Sequence, residues 1–406
     1  MTTGILCGRN RIMSVEHFTI NSLVKGSTFR TAAGVQEYFL SINSNEGISF
    51  VEELETLYET YMLVMKQCGL SEETLVFGRF YMSDIANQKS VLRESKIYKV
   101  LRKGAVSTIQ QSPVFGGDIS LLVYHIKTNG SPLNREIFTY DEDDRRNGAF
   151  IQGKYYDLLW IANFCGFGEF DSYLQSWEVF HAFTSILAKH GMTLIDNAVR
   201  TWVYVRDVDN HYTGMVEARK ELFEEYGLIP DTRYIASTGI EGFSKEVNSL
   251  VALDAFAIKN LRHEQIVRME ALNHLSPTIQ YGVTFERGTR VRFGDRSHLH
   301  ISGTASIDMY GHVLHQNDVR MQTRQTIENI RALLAPHEAD LDDMAYYIAY
   351  VRSFKDSRKV MEVLETEIPS RIPLLLLQGS VCRTSWLVEL EGVALIPDKT
   401  DFPPFF

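Results

Sequence analysis

The chain repeats one order of secondary-structure patterns three times, and this repeat constrains its fold more than any other feature. An amphipathic helical pattern and a turn precede each of three similar aromatic segments, and a further helix and two strand-like stretches follow. These segments are Leu75–Asp84, Asn197–Asp207 and Met344–Ser353. Because strands alternating with helices build a sheet covered by helices, the repeat predicts an α+β fold of three tandem modules. Each module is predicted to be a mixed sheet with helices on one face.

The three modules are predicted to span residues 1–138, 150–262 and 275–406. Between the first two, Thr139–Asn147 is charged and lacks an apolar period, which is typical of a linker or an exposed loop. Lys259–Pro277 is predicted to join the second and third modules.

Charge and cysteine content exclude several classes of protein. The chain has 41 Lys and Arg against 51 Asp and Glu, and a net charge of −10 argues against general binding to nucleic acid or anionic membranes. Cys7, Cys68, Cys165 and Cys382 form no CxxC pair, which favours a reducing compartment. The first twenty residues show no signal-peptide pattern, and the longest apolar runs, such as Ile372–Leu377, have strand length. We therefore expect a cytoplasmic protein without a membrane partner.

Motifs for common cofactors and metals are missing from the sequence. It contains no P-loop, no GxGxxG at a strand-to-helix turn and no GxSxG, so nucleotide, dinucleotide and α/β-hydrolase functions gain no support. His298 and His300 lie on one side of a predicted strand, and His312 and His315 follow a turn, but no third ligand has a useful spacing. These histidines are predicted to be core or surface residues, not metal ligands.

The third repeat carries motifs of a known superfamily. Its segments HLHISGTASID, QTRQTIENIRALL, YYIAYVRSFKD and LVELEGVALIP resemble the Rid (YjgF/L-PSP) superfamily. The second repeat resembles it through VRTWVYVRDVD, TRYIASTGIEG and VALDAFAI, and the first repeat matches mainly in the order of its elements. The resemblance implies a chorismate-mutase-like α+β sandwich, which trimerises around a β-barrel with ligand clefts between subunits. Three fused modules could therefore pack as a pseudo-trimer within one chain.

Within this superfamily the second and third modules resemble the chorismatases most. The segments that carry this resemblance are ERGTRV (Glu286–Val291), ISGTASI (Ile301–Ile307) and VCRTSWLVELEG (Val381–Gly392). Chorismatases split the enolpyruvyl ether of chorismate into pyruvate and either a dihydroxycyclohexadiene carboxylate or a hydroxybenzoate. The resemblance implies chemistry without a cofactor, and it leaves the first module without an assigned role.

Glu389 is the candidate proton donor. In LVELEG, strand alternation puts Glu389 and Glu391 on one face and Leu390 on the other. An enol ether needs a proton delivered to carbon, and a carboxyl held in an apolar strand has the raised pKa that suits this transfer. The resemblance assigns that role to Glu389. The alternative is a carboxylate at the rim of an edge strand.

The resemblance assigns Cys382, Arg287 and Gly288 to the substrate, and the side-chain chemistry of Arg383 makes it a further candidate. Cys382 would line the ring pocket, and Arg383 could bind a carboxylate in a bidentate fork. Arg287 would hold a substrate carboxylate, and Gly288 would make room for the ring. Gly288 together with Cys382 resembles the subgroup that makes 3-hydroxybenzoate. The alternatives are a small buried thiol and arginines on a strand end or a solvated surface.

A basic run in this acidic chain also suggests an anionic substrate. It consists of Arg287, Arg290, Arg292 and Arg296, and the alternative is a solvated strand face. Chorismatases carry a tyrosine upstream of this run, where this chain has His274–Pro277 and no evident equivalent.

Arg233 supports a different activity. In TRYIASTG it matches the carboxylate-binding arginine of Rid imine deaminases. The second module has Ala252 at the acid position, whereas the third module has Glu389 there and Leu374 near the arginine position. Arg233 and Glu389 could therefore share one cleft across a module interface. Otherwise Arg233 is a structural residue.

The sequence thus predicts an enzyme that acts on a small anionic metabolite by chorismatase-like cleavage of an enolpyruvyl ether. An imine or enamine deaminase of Rid type is the alternative, and a catalytically inactive ligand-binding protein is the third hypothesis. Superfamily members are also labelled endoribonucleases or translation inhibitors, which the net charge of −10 does not favour. The expected partner is a small carboxylate, and self-association is left open.

Overall fold

The computed structural model describes residues 14–32, 34–130, 132–140, 146–278 and 282–406. Cys7 and most of the segment inspected for a signal peptide lie outside these residues. Within the described part, the chain forms three mixed β-sheets, each with helices packed against it. This is the α+β fold of three repeated modules that the sequence predicts.

In its described residues, the first module contains six strands and three α-helices. The strands are β1 (Val15–Asn21), β2 (Val24–Arg30), β3 (Gln36–Asn43), β4 (Leu75–Met82), β5 (Ala105–Gln110) and β6 (Ile119–Lys127). The helices are α1 (Phe50–Cys68), α2 (Ile85–Glu94) and α3 (Lys96–Leu101). Ser49 begins α1 with a capping box that includes Glu52, and Gly69 ends it in the left-handed conformation.

The second module has the same layout. Its strands are β7 (Asn134–Thr139), β8 (Asn147–Gln152), β9 (Asp157–Cys165), β10 (Ala198–Val205), β11 (Ala236–Glu241), β12 (Phe243–Ser244) and β13 (Val251–Lys259). Its helices are α4 (Ser172–Lys189), α5 (Leu194–Asn197) and α6 (Val208–Glu225). The short strand β12 leaves this sheet and pairs with β5 of the first module.

The third module completes the repeat. Its strands are β14 (Ile266–Met269), β15 (Gly288–Arg292), β16 (Ser297–Thr304), β17 (Met344–Val351), β18 (Leu374–Gln378) and β19 (Val388–Ile396). Its main helices are α7 (Val319–Leu334) and α8 (Ser357–Glu367).

All three sheets share one strand order. The orders are β1-β2-β3-β6-β4-β5, β7-β8-β9-β13-β10-β11 and β14-β15-β16-β19-β17-β18. The last two strands of each sheet are parallel, and the crossover that parallel pairing requires is helical in every module. The aromatic segments recognised in the sequence are the central strands β4, β10 and β17, whose residues are all buried. The predicted repeat is therefore confirmed.

Three boundaries differ from the prediction. The sequence pattern predicts a strand over Arg233–Ser237, but the structure has irregular chain up to residue 235 and β11 begins at Ala236. Thr139–Asn147 is not a linker between modules: its ends pair with each other as the hairpin of β7 and β8, which is part of the second sheet. Lys259–Pro277 contains the edge strand β14 of the third sheet. Short edge strands lack the long, mostly apolar segments that reveal central strands.

The modules contact one another through their parallel edge strands. β12, which follows β11, pairs with β5; Val381, which follows β18, pairs with Ile240 of β11; and Pro113, which follows β5, pairs with Leu377 of β18. The contacts therefore run in a cycle from one module to the next. A continuous apolar core includes buried side chains from all three modules.

Candidate active site

A cavity lies between the second and third modules and encloses about 520 Å³ of empty space, counted out to its mouth. Helix α6 and strand β11 of the second module form one side. The other side comes from β16, β19 and two loops of the third module. Its lining residues are Tyr212, Arg219, Ser237, Gly239, Val283, Phe285, Arg287, Gly303, Ala305, Ile307, Cys382, Arg383, Trp386 and Glu389. The predicted residues Glu389, Cys382, Arg287 and Arg383 thus line one cavity.

The loop between β18 and β19 brings Cys382 and Arg383 to the cavity. Its start is fixed to the second module, because Val381 bridges to β11. Its end is held by Gln322 of α7, which donates to the carbonyl of Ser385 at 2.9 Å and accepts from the amide of Leu387 at 2.9 Å. Contacts on both sides therefore fix the loop over the cavity.

Among the described residues that line this cavity, Glu389 is the only carboxylic acid. It is the second residue of β19 and is 4% exposed. Its carboxyl lies directly against Gly303 of β16: a β-carbon built on Gly303 would lie 2.1 Å from Oε1 of Glu389. The absence of a side chain at Gly303 makes room for the carboxyl.

The surroundings of Glu389 favour its protonated form. Burial is the largest cause and, with the nearby Glu391, it raises the pKa of Glu389 from 4.5 to about 8. The cations Arg200 and Arg287 act in the opposite direction. With such a pKa, about nine-tenths of the Glu389 carboxyl groups carry a proton at pH 7. The group can therefore act as an acid at neutral pH.

Glu391 is held in place by hydrogen bonds within the protein. Its carboxylate accepts hydrogen bonds from Arg200 at 2.5 Å, Trp202 Nε1 at 2.9 Å, the Tyr350 hydroxyl at 3.0 Å and the Thr238 hydroxyl. Arg200, Trp202 and Thr238 belong to the second module, so this buried carboxylate links the two modules beside the cavity. The two glutamates of LVELEG thus differ: Glu389 faces the cavity and Glu391 is held by four donors.

Three arginines surround the cavity. Arg287, only 6% exposed, donates from Nε and Nη2 to the carbonyl of Ser276 at 3.1 and 3.0 Å. The Arg383 guanidinium lies 5.0 Å from the centre of the Trp386 ring. Arg219 of α6 donates to the Ser237 hydroxyl at 3.5 Å. Three cations around one largely protonated carboxyl make the cavity suited to an anionic ligand.

Cys382 stays a thiol. Burial, the largest cause, and the nearby Glu389 raise the pKa of Cys382 to about 12, and a hydrogen bond joins its sulfur to the Tyr212 hydroxyl. Burial also raises the pKa of Tyr212 well above its usual range. Because the thiolate is the reactive form, Cys382 acts here through its size and its polarisable sulfur.

Tyr212 and Arg219 were missed in the sequence. Both lie on α6 of the second module, whereas the motifs point to the third module. They are seven residues apart, which puts them on one face of a helix. The sequence feature that could have identified them is a tyrosine and an arginine on one face of the helix after β10.

Gly288 and Arg233 lie outside the cavity lining. A β-carbon on Gly288 would lie 3.0 Å from the carbonyl of His300 and 3.0 Å from Met269, within the packing of the third sheet. Arg233 donates to the carbonyls of Tyr234 at 3.0 Å, Ile195 at 3.3 Å and Ala198 at 2.8 Å. These contacts match the alternative that Arg233 is a structural residue. Arg233 and Glu389 do not line one cavity.

Three of the four arginines in the basic run form ion pairs with carboxylates of this chain. Arg290 and Arg292 both pair with Asp398, at 3.0 and 3.2 Å. Arg296 is fully buried and pairs with Glu37 of the first module. Of the run, only Arg287 lines the cavity, so the other three do not form the anion site that the sequence suggested.

Of the four histidines, His298 and His300 are buried, whereas His312 and His315 are exposed. His298 contacts Glu37 at 3.0 Å, and burial lowers the pKa of His300 well below its usual value. Among the residues that the structure describes, no group of three histidine, cysteine or acidic side chains could hold a metal ion. No described helix is long and apolar enough to cross a membrane.

Comparison with known proteins identifies relatives of this chain. Residues 291–396 match the family model Endoribonuclease L-PSP. A 3-hydroxybenzoate synthase from Streptomyces hygroscopicus is 26% identical over 220 residues, a match that covers 48% of this chain and 63% of the synthase, less than two thirds of its length. The crystal structure of a chorismatase is 17% identical, has a TM-score of 0.62 and covers 89% of this chain and 98% of that chain. The fold resembles that of the chorismatase, and the resemblance to the Rid superfamily and its chorismatase branch is confirmed.

Proposed function

We propose that this protein cleaves the enolpyruvyl ether of chorismate or a closely similar anionic metabolite, giving pyruvate and a cyclic carboxylate. One observation carries the proposal: of the described residues that line a cavity surrounded by three arginines, Glu389 is the only acid, and its pKa is near 8. A proton donor in a cationic pocket is what acid-catalysed opening of an anionic enol ether requires.

The proposed reaction begins with proton transfer from Glu389 to the methylene carbon. The π electrons form the new C–H bond, and the ether carbon becomes an oxocarbenium ion. Water adds to this carbon and returns a proton to Glu389, and the resulting hemiketal then breaks its bond to the ring oxygen. The ring oxygen keeps the electron pair and takes the hydroxyl proton, so one water is consumed and pyruvate and a ring alcohol are released.

The arginines are proposed to position the substrate. Arg287 is buried and anchored by Ser276, which fixes its guanidinium before the ligand arrives. Arg383 and Arg219 add positive charge from two other sides. Chorismate carries two carboxylates, and binding both of them would orient the enol ether towards Glu389.

The ring product is proposed to be 3-hydroxybenzoate. Two observations support it: the relative named 3-hydroxybenzoate synthase, and the position of Cys382 on the cavity wall. Aromatisation to this product releases one water from the ring, which balances the water consumed in ether cleavage.

The test is pyruvate release from chorismate by the purified chain, followed with a lactate dehydrogenase coupled assay. We expect Glu389→Gln to reduce the rate by about 100-fold or more, because an amide keeps the shape of the carboxyl but has no proton to give. Glu217→Gln is the matched control, since Glu217 is exposed on α6, outside the cavity lining. Absence of pyruvate with the wild-type protein, or full activity of Glu389→Gln, would contradict the proposal.

The same preparations distinguish the other two hypotheses. Hydrolysis of 2-aminoacrylate that is lost in Arg233→Lys would indicate a deaminase, although the Arg233 guanidinium is engaged by backbone carbonyls. Neither activity, together with binding of chorismate, would indicate a ligand-binding protein.

A further inference from the structure

A β-bulge in strand β16 lies beside Glu389. At this point two residues of β16, Ser302 and Gly303, stand opposite the single residue Glu391 of β19. Gly303 is also the residue whose missing side chain makes room for the Glu389 carboxyl. Because a bulge sets the direction of the groups around it, the position of this bulge determines where the carboxyl can lie.

Two neighbouring residues of β11 hold the bulge from the other side of the module interface. The amide of Ser237 donates to the Ser302 hydroxyl at 2.9 Å. The amide of Gly303 donates to the Thr238 hydroxyl, also at 2.9 Å. Strand β11 belongs to the second module and β16 to the third, so the second module contributes to fixing the bulge.

The Thr238 hydroxyl makes three hydrogen bonds. It donates to the Glu391 carboxylate, and it accepts from the amide of Gly303 and from the Arg200 guanidinium, the latter at 2.6 Å. A hydroxyl has one proton and two lone pairs, so these bonds satisfy it completely. Thr238 is buried and lies outside the described cavity lining. It therefore stands behind the cavity wall and joins Glu391 to the bulge.

The second module contains an equivalent bulge without the acid. Ala162 and Asn163 of β9 stand opposite Asp254 of β13, and Ala252 is the second residue of β13, as Glu389 is of β19. Here the amide of Asn163 donates directly to the Asp254 carboxylate at 2.9 Å. The bulge amide thus bonds to its own sheet in the second module. In the third module, where Glu389 is present, it bonds to a hydroxyl of the neighbouring module.

We propose that Thr238 is a positioning residue for Glu389: its hydroxyl holds the β16 bulge, and with it the carboxyl, in the place from which the proton is delivered. This inference rests on the proposed cleavage, in which Glu389 is the proton donor.

Loss of the Thr238 hydroxyl should loosen the site in two ways. The buried amide of Gly303 would lose its acceptor, and Glu391 would lose one of its four donors. The bulge would then shift and admit water to the Glu389 carboxyl. Because burial is the largest cause of the raised pKa of Glu389, this pKa should fall.

The test compares Thr238→Val, which keeps the shape of the side chain, with Thr238→Ser, which keeps the hydroxyl. We expect Thr238→Val to lower kcat for pyruvate release from chorismate by about tenfold, because proton transfer depends on the position of the donor. KM should change little, since Thr238 lies outside the described cavity lining. The alkaline limb of the pH–rate profile should move to lower pH. Thr238→Ser should restore most of kcat and the wild-type profile.

Thr184→Val is the matched control. Thr184 is a buried threonine of α4 in the same module, it donates to the carbonyl of His181 at 3.0 Å, and it lies outside the described cavity lining. Its replacement should leave kcat and the pH profile unchanged. Thr238→Ala, which also removes the hydroxyl, provides the same comparison if Thr238→Val does not fold.

A second measurement does not depend on catalysis. The stability difference between Glu389→Gln and its parent, followed against pH by urea unfolding, reports the pKa of Glu389 in the folded protein. In the Thr238→Val background this pKa should be lower by at least about 1 than in the wild-type background. An unchanged pKa, or equal losses of kcat in Thr238→Val and Thr238→Ser, would overturn the proposal. If wild-type protein released no pyruvate, the proposed cleavage would fail, and the pKa measurement would still decide whether Thr238 positions Glu389.

Discussion

Folding favours the protonated form of Glu389, and the free energy of unfolding therefore depends on pH. Its pKa is near 8 in the folded protein and near 4.5 otherwise. Between these values the folded state binds one more proton than the unfolded state, so stability falls as pH rises, by at most about 1.4 kcal/mol per pH unit. We expect Glu389→Gln to gain stability over the wild type as pH rises from 5 to 8.5, measured by urea unfolding. Stability curves that stay parallel over this range would contradict the raised pKa.

Cys382 is expected to resist alkylation. With a thiol pKa near 12, only about one molecule in 10,000 carries the thiolate at pH 8, whereas an ordinary free thiol is substantially ionised. We expect iodoacetamide to label Cys382 at least about 100-fold more slowly than it labels glutathione, followed by mass spectrometry of the peptide. Urea-unfolded protein is the control and should label fast. Rapid labelling in the folded state would show that the thiol is ionised.

Some residues of the cavity could be predicted from the sequence, because they lie close together in one motif. Glu389, Cys382 and Arg383 belong to one segment that the fold keeps together. Arg233 could not be placed from sequence, because its partners are backbone carbonyls of the second module, which leave no pattern. The local motif therefore located the cavity, and only the fold reveals which arginines it contains.

Strand β16 fixes the place of the Glu389 carboxyl through Gly303. In Gly303→Ala the new β-carbon would lie 2.1 Å from Oε1 of Glu389, so the carboxyl must move. We expect pyruvate release to fall by about tenfold or more, because proton transfer depends on the position of the donor. We also expect the alkaline limb of the pH–rate profile to shift, since a displaced carboxyl has a different pKa.

Gly168→Ala is the matched control for this change. A β-carbon at Gly168 would have its nearest neighbour, Oε2 of Glu178, at 3.7 Å, an ordinary contact. Equal losses of activity in both variants, or an unchanged pH profile in Gly303→Ala, would contradict a positioning role for Gly303.

The elements were predictable where apolar periodicity is strong. The sequence pattern predicts helices over Val319–Leu334 and Ser357–Glu367, and α7 and α8 have these bounds. The central strands are buried on both faces and consist mostly of apolar residues, although Arg79 interrupts β4 and Arg200 interrupts β10. The sequence left Thr139–Asn147 as a linker or an exposed loop and did not predict the pairing of β7 with β8. Strand β7 is short and has no buried residue, so its pairing depends on the neighbouring strand more than on its own sequence.

We infer that the three modules form one pseudo-trimeric body. The sheets share one strand order, and their edge contacts run in a cycle from module to module. Head-to-tail interfaces between identical subunits close into a ring in the same way. Each interface also contains a buried ion pair that links two modules. These pairs are Arg79–Asp254, Arg200–Glu391 and Arg296–Glu37.

This arrangement predicts that damage at one interface destabilises the whole chain. Asp254→Asn leaves the Arg79 guanidinium, which is fully buried, without its counter-charge. We expect a loss of about 3–5 kcal/mol in the free energy of unfolding, because an uncompensated buried charge is costly. If the modules form one body, the urea midpoints followed by circular dichroism and by tryptophan fluorescence should fall together. This is expected although all four tryptophans lie in the second and third modules.

The control is Glu362→Gln, which removes an exposed ion pair with Arg320 and should cost less than about 1 kcal/mol. The number of unfolding transitions distinguishes one body from separate domains. The first module has no tryptophan, but its Phe77 stacks on Trp160 and its Arg79 lies over the Trp202 ring, so both probes would report its separate unfolding. If Asp254→Asn produced two transitions, an early one and one at the wild-type midpoint, the first module would be unfolding by itself. The interfaces would then join separate domains, and the cycle of edge contacts would not act as a single cooperative structure.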